Sequence, residues 1–343
     1  WLKLQGHCRH SDVDTTGLGA MTSAQGPYGP WVHVPPQAAD KVHSPAVKLR
    51  LFCIPQAGMG AWCFHSWCDS LPAEVEVMPI ELPARGTRLG EPVPYAASIP
   101  DLARQVCDGL GLSLLLARPF VLFGHSFGAW LATEIFTELR QRADAGWPLP
   151  MKVYVSGCRP PQLADVAHDA DKANPRLGSL DAYSFWPAFE NRYGCNPDLQ
   201  IPSMRNFIWP VLQADFTLLE NYQPRSLAFD VDLCALCAKG DARCPPRQLS
   251  AWAACCKEGC FTERWFEGMR KPGSWATVHR YVVDNPGALL RFLHKDLPLV
   301  GREVAGYSGV EGPMAEDASD VQLASDGLAE LSSESVFHRC ALQ

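Results

Sequence analysis

Gly124-His125-Ser126-Phe127-Gly128 decides the reading of this chain, because it joins the apolar run Phe120-Val121-Leu122-Phe123 to a helix-like run that starts at Ala129. A G-x-S-x-G pattern is common by chance, but between a buried strand and an amphipathic helix it reads as a nucleophile elbow. The turn is so tight that side chains two residues before and after the serine would meet the strand and the helix, hence glycine at both places. Ser126 is thereby expected at the top of a sheet. The N–H of Phe127, at the N-terminus of the new helix, is left free where the helix dipole favours negative charge.

On either side of the elbow, strand-like and helix-like runs alternate. Val47–Ile54, Val75–Ile80, Met151–Ser156, Val231–Ala238 and Phe261–Phe266 read as strands, and Ile99–Leu116 has the 3.6-residue period of a helix packed on a sheet. After the elbow, Leu131, Ala132, Ile135, Phe136 and Leu139 share one helix face, with Glu134, Glu138 and Gln141 on the other. Further helices are expected near Pro246–Ala254 and over Asn285–Lys295. Strands alternating with helices predict an α/β fold with a mostly parallel, doubly wound sheet. Between Pro160 and about Arg225 the strand signal stops and helical patches rich in Phe, Trp and Tyr take over, which reads as an inserted helical lid over about 162–225. Its aromatics either line an apolar substrate channel or pack among themselves.

Residues 1–46, mixed in Gly, Pro, Ser, His and Thr, read as a flexible extension, and 298–343 as an acidic, disordered tail, leaving 47–297 as the folded domain. Of the net charge of −7 on 343 residues, most lies in that tail; from Ala46 to Lys295 there are 25 acidic and 25 basic residues. A neutral core excludes the basic face that nucleic acid requires. No run approaches the roughly 18 apolar residues of a membrane span, and the first 30 residues carry no secretory pattern. A cytoplasmic location is expected, or an organelle if a targeting segment lies upstream of Trp1. The 14 cysteines read as reduced thiols. Cys234 and Cys237 invite a zinc reading, but their odd spacing on a strand sends them to opposite faces, so no metal is expected.

A serine hydroxyl becomes a nucleophile when an imidazole takes its proton and a carboxylate holds that imidazole. In the α/β-hydrolase fold the chain order is Ser, acid, His. Asp241 follows a strand, at the catalytic edge, whereas Asp230 and Asp232 precede it. His279 and His294 are the histidines beyond Asp241; His294 sits within the last helix, while His279 follows a loop, Lys271–Val278, able to bring it over the sheet. The expected triad is Ser126, Asp241 and His279. The oxyanion donors are Phe127 and, from the turn Pro55–Gly60, Gln56 or Ala57.

Several segments occur together in an order that resembles the type II thioesterases: Leu51-Phe-Cys-Ile-Pro-Gln-Ala-Gly58, Glu81-Leu-Pro-Ala-Arg-Gly-Thr-Arg88, the elbow, Ser156-Gly-Cys-Arg-Pro-Pro161, Leu212-Gln-Ala-Asp-Phe-Thr-Leu-Leu-Glu-Asn-Tyr222 and Lys239-Gly-Asp241. The resemblance implies an α/β-hydrolase without cofactor that cleaves acyl groups from the phosphopantetheine thiol of an acyl or peptidyl carrier protein, serving a polyketide, peptide or fatty-acid synthase. Two positions depart from the family pattern: Gly58-Met59-Gly60 stands where paired glycines are usual, and Thr277-Val278 where two glycines precede the histidine. The same triad would also suit a carboxylesterase or lipase, and a displaced His279 would leave an acyl-carrier docking protein.

Overall fold

The runs rich in β-branched and aromatic residues pair side by side into one sheet that both faces bury. In the computed structural model, which describes residues 26–299 apart from 173, 226, 227 and 269–276, the elements are β1 (Leu49–Ile54), α1 (Trp67–Ser70), β2 (Val75–Pro79), α2 (Ile99–Leu116), β3 (Phe120–His125), α3 (Phe127–Gln141), β4 (Lys152–Ser156), α4 (Ala182–Tyr193), α5 (Pro202–Glu220), β5 (Asp232–Ala238), α6 (Pro246–Ser250), β6 (Phe261–Phe266), α7 (Tyr281–Asp284) and α8 (Gly287–Asp296). All six strands are parallel, in the order β2-β1-β3-β4-β5-β6. Every residue of β1, β2, β3 and β4 is buried, as expected of parallel strands covered on both faces. The α/β fold and parallel sheet read from the sequence are thus observed.

Two apolar layers flank the sheet. One gathers Phe52, Phe120, Leu122, Val153 and Ala235 with the inner faces of α2 and α3; the other gathers Leu51, Phe123, Tyr154 and Leu236 with Trp67 and the apolar stripe of α8. Cys237 lies in the first and Cys234 in the second, the opposite-face placement that their spacing demands. The twelve described cysteines are all free thiols, and among the described residues no three His, Cys, Asp or Glu side chains converge as a metal site would require. No described helix is long and apolar enough to cross a membrane.

Four expectations change. Residues 26–46 are not outside the core: Tyr28, Trp31 and Val32 are buried, Val32 bridges to Ile80, and the Tyr28 hydroxyl donates to Glu76 at 2.5 Å. Their apolar side chains are scattered among turn residues, so no periodicity announced them. Helix α3 begins at Phe127, not Ala129, which makes Ser126 its N-cap position. On the polar face of α3, Glu134 and Glu138 are buried while Gln141 stays exposed, because the chain returning from the insertion lays Tyr222 and Arg225 there; Glu134 accepts from both, at 2.7 and 2.6 Å. Of the expected tail 298–343, Leu299 is buried in the second apolar layer, so the fold runs past 297; residues 300 onward and 1–25 lie outside the described residues.

The chain leaves β1 toward one edge through β2 and returns to β3, which then leads through β4 toward the other edge. The connection order therefore reverses between β1 and β3, the crevice where doubly wound sheets place their sites. Between β4 and β5 stands the insertion, whose α4 and α5 share a separate small core of Leu177, Phe185, Trp186, Leu199, Leu212 and Phe216. Most of its aromatics pack there, while Tyr183 and Phe207 face outward and Tyr193 reaches the histidine side of the site.

Candidate active site

The elbow is as tight as the sequence requires. A Cβ on Gly124 would lie 2.0 Å from the Gly128 carbonyl oxygen, and one on Gly128 would lie 2.2 Å from the Ile54 carbonyl oxygen, so neither position accepts a side chain. Between them Ser126 is held at φ 55°, a conformation that non-glycine residues seldom adopt and that persists only where the surroundings enforce it. Its amide donates to the Ser156 carbonyl on β4 at 2.8 Å, which fixes the serine to the sheet.

His279 and Asp241 arrive from separate segments. Asp241 follows β5 in the turn Lys239-Gly240-Asp241; His279 lies in the short 3-10 turn Val278–Arg280 just before α7. His279 Nε2 is 3.0 Å from Ser126 Oγ, and its Nδ1 is 2.8 Å from Asp241 Oδ2. A carboxylate only accepts, so Nδ1 carries the proton and the Nε2 lone pair faces the serine hydroxyl. Asp241 Oδ1 accepts from the Arg243 amide at 2.9 Å. Burial works against the charged carboxylate, but His279 and the Arg243 amide outweigh it and hold Asp241 below its usual range. Asp230, by contrast, pairs with Arg140 at the opposite edge of the sheet, and His294 is exposed on α8. Residues 269–276, most of the expected carrying loop, lie outside the described residues.

The turn after β1 abuts the start of α3 through the Gly128 contact. Its amides divide into two sets. Gly58 donates to Asp215, Met59 to the Gln56 carbonyl and Ala61 to Glu81. The N–H groups of Gln56, Ala57, Gly60 and Phe127 have no hydrogen-bond partner among the described residues.

Two networks behind the site were not foreseen. His125, adjacent to the serine, points away from it: Nε2 is 2.9 Å from the His279 carbonyl oxygen and Nδ1 is 2.9 Å from Ser156 Oγ, which is 2.6 Å from the Tyr281 hydroxyl. Because a carbonyl only accepts, every proton in this chain is determined. Tyr281 donates to Ser156, Ser156 to His125 Nδ1, and His125 Nε2 to His279. Burial, reinforced by the nearby His279, pushes the His125 pKa down to about 3, so the ring stays neutral. The second network ties Asp215 of α5 to Arg85, Tyr95 and Gly58. A sequence signal for it existed: one aspartate set among Leu212, Phe216 and Leu219 on the apolar side of a helix demands a buried cation.

This geometry agrees with what the chain is similar to. The model of the "Thioesterase domain" family matches residues 49–297. The gramicidin S biosynthesis protein GrsT of Aneurinibacillus migulanus is 30% identical over 258 residues, spanning 74% of this chain and 91% of that protein. Thioesterase PikA5 of Streptomyces venezuelae is 28% identical over 61% of this chain and 70% of its own length. The solved structure of RedJ, the thioesterase from the prodiginine biosynthetic pathway of Streptomyces coelicolor, superposes with a TM-score of 0.60 at 31% identity, covering 74% of this chain and 88% of RedJ. With the family model spanning the whole sheet and both ends of the Ser126–His279–Asp241 chain, the protein belongs to the thioesterase domain family.

Proposed function

We propose that this thioesterase releases acyl groups from the phosphopantetheine arm of an acyl or peptidyl carrier protein through an acyl-enzyme on Ser126. The observation that carries the reading is the continuous chain Asp241–His279–Ser126, at 2.8 and 3.0 Å, beside the unpaired amides of Phe127, Gln56 and Ala57. His279 Nε2 takes the hydroxyl proton as Ser126 Oγ attacks the thioester carbonyl. The oxygen that becomes negative is received by the Phe127 amide and by Gln56 or Ala57, donors worth roughly 3 kcal/mol each in such sites. His279 then returns the proton to the departing thiol, and a water deprotonated by the same nitrogen hydrolyses the ester. Asp241 stays ionised throughout and stabilises the imidazolium.

The carrier protein enters from the resemblance to the type II thioesterases, and the relatives' names place them in gramicidin S and prodiginine biosynthesis. A synthase that holds its intermediates covalently stalls when an arm carries the wrong acyl group, and a hydrolase that clears the arm restores it. The reaction needs no cofactor and runs in the cytoplasm with the synthase.

Two measurements test this. A fluorophosphonate probe should label Ser126 and leave Ser126→Ala unlabelled. At one acyl length, kcat/KM should fall in the order acyl-carrier protein, acyl-coenzyme A, matched alkyl ester, because remote contacts with the carrier add transition-state binding. A preference for the simple ester with no benefit from the carrier would replace this reading with a carboxylesterase or lipase.

A further inference from the structure

Asp215 is completely buried in the middle of α5, yet none of its acceptor capacity is idle. Oδ2 accepts from the Gly58 amide at 2.7 Å and from Arg85 Nη1 at 2.8 Å; Oδ1 accepts from Arg85 Nη2 at 2.9 Å and from the Tyr95 hydroxyl. Arg85 is equally committed, its Nη1 reaching the Met59 carbonyl at 3.3 Å and its Nε the Pro83 carbonyl at 3.1 Å. Leu212, one helical turn before Asp215, closes directly over Gly58. The turn after β1 is therefore gripped on consecutive residues, by the N–H of Gly58 and the C=O of Met59. That grip is immediately beyond Gln56 and Ala57, whose amides have no partner among the described residues.

A buried ion pair is a poor device for stability, since well-packed apolar residues in its place are often as stable or more so. It is a good device for direction, because a bidentate guanidinium and a four-fold satisfied carboxylate fix angles as well as distances. Its charges also sum to zero. A carboxylate alone would oppose an anion forming on the neighbouring amides, and Arg85 cancels it.

We propose that Asp215 and Arg85 are positioning residues that hold the turn 56–59 in its oxyanion-binding geometry, so that the inserted helix α5 forms part of the catalytic scaffold. This rests on the acyl-enzyme reading above. The grip spends the amide of Gly58 so that the amides before it remain aimed at the substrate oxygen. It also sets which part of the insertion is fixed: α5 is anchored at Asp215 to the turn after β1.

Two double variants isolate the grip from its charges. Asp215→Asn with Arg85→Gln removes both charges and keeps an acceptor for Gly58 and a donor for Met59. Asp215→Leu with Arg85→Met removes charges and hydrogen bonds alike. Each is measured for kcat and KM on an acyl thioester, and for binding of an alkyl boronic acid, which forms a tetrahedral adduct on the serine, and of the product carboxylate. The polar pair should stay within about 3-fold of the native kcat. The apolar pair should lose about 10- to 100-fold in kcat, with boronate affinity falling in parallel while KM and carboxylate affinity hold, because a preorganised donor acts on the tetrahedral state. A merely structural role would lower Tm without separating boronate from carboxylate. The proposal is overturned if the folded apolar pair matches the polar pair in kcat and boronate affinity. Should the apolar pair fail to fold, Asp215→Asn with Arg85→Met, which lacks the donor to Met59, takes its place: a fall in kcat and boronate affinity below the polar pair supports the grip, and a match with the polar pair overturns it. Fluorophosphonate labelling of the native protein separates the two readings: no label on Ser126 sinks the acyl-enzyme, whereas a labelled native enzyme with indifferent variants sinks only the grip.

Discussion

The two sides of Ser126 are supported by opposite kinds of chemistry. Behind His279 runs a neutral chain, Tyr281 to Ser156 to His125 to the His279 carbonyl; behind the turn after β1 stands a buried ion pair, Arg85 and Asp215. The difference follows from what each side must tolerate. In the proposed mechanism His279 becomes a cation, and the His125 ring lies with its centroid 5.0 Å away. A second charge there would oppose the imidazolium, so the support has to be uncharged and stay uncharged. The same proposal gives the turn after β1 an anion to receive, and a balanced pair adds no net charge beside it. Direction, on both sides, comes from hydrogen bonds between buried groups.

The largest effect expected is a separation of tautomer from position. Asp241→Asn should lower kcat by about 10⁴-fold with the protein still folded, because an amide can favour the wrong imidazole tautomer while leaving the ring in place. If Asp241→Asn costs no more than a few-fold, the neutral chain rather than the carboxylate governs His279, and the comparison is broken.

A smaller effect is expected of the neutral chain itself. His125→Leu leaves the buried His279 carbonyl without a donor, and should lower kcat about 10²-fold through misplacement of the ring, with KM little changed. His125→Gln, which can restore a donor near the former Nε2, should recover most of that loss. Equal losses in Leu and Gln variants would show that the ring packs and does not position. Tyr281→Phe removes only the outermost donor of the chain and should cost a few-fold at most.

The supports should also differ in acid. His125 is held down at about 3 by burial and then by His279, and His65 at about 4 by burial and then by His33. A folded-state pKa below the unfolded value near 6.5 means the unfolded chain binds more protons. Stability from these two rings is therefore complete above about pH 6.5 and drains away as the pH falls toward 4 and then 3. Asp241, also depressed, adds a loss that begins only near the ordinary carboxylate pKa. Thermal unfolding followed from pH 8 to 4 should show Tm falling below about pH 6.5, and the slope should flatten in His125→Gln. An unchanged slope would mean that His125 does not take up a proton on unfolding.

The smallest effect is expected at the chain's end. His294→Ala, on the outward face of α8, should leave kcat unchanged and shift Tm slightly, in contrast to the loss expected of His279→Ala by orders of magnitude. Comparable losses in the two would reverse the choice of base.

Much of the fold was legible because local sequence carries it. The strand runs are short, apolar and bounded by turn residues, and the G-x-S-x-G segment reads as an elbow because it lies between an apolar strand and an amphipathic helix, its glycines standing where the backbone leaves no room for a side chain. The order of serine, acid and histidine, together with the side of the strand on which each acid lies, was enough to select Ser126, Asp241 and His279 as the residues the fold brings together. The packing of Tyr28, Trp31 and Val32 was not legible, because three apolar residues within a stretch rich in Gly and Pro display no period. Nor was the burial of Glu134, since a helix surface reads as exposed until another segment is known to cross it.

What the sequence alone determined, then, are features set within a few residues of one another: the elbow, the alternation of strand and helix, the candidate acid and base. Tertiary structure alone decided which distant groups share a hydrogen bond. His125 meets the carbonyl of a residue 154 positions away, and Asp215 meets an amide 157 positions away. A hydrogen bond depends on distances of a few tenths of an ångström and on the direction of a lone pair. Those quantities exist only after the sheet has lined up β1, β3, β4 and β5 and the insertion has folded back over them.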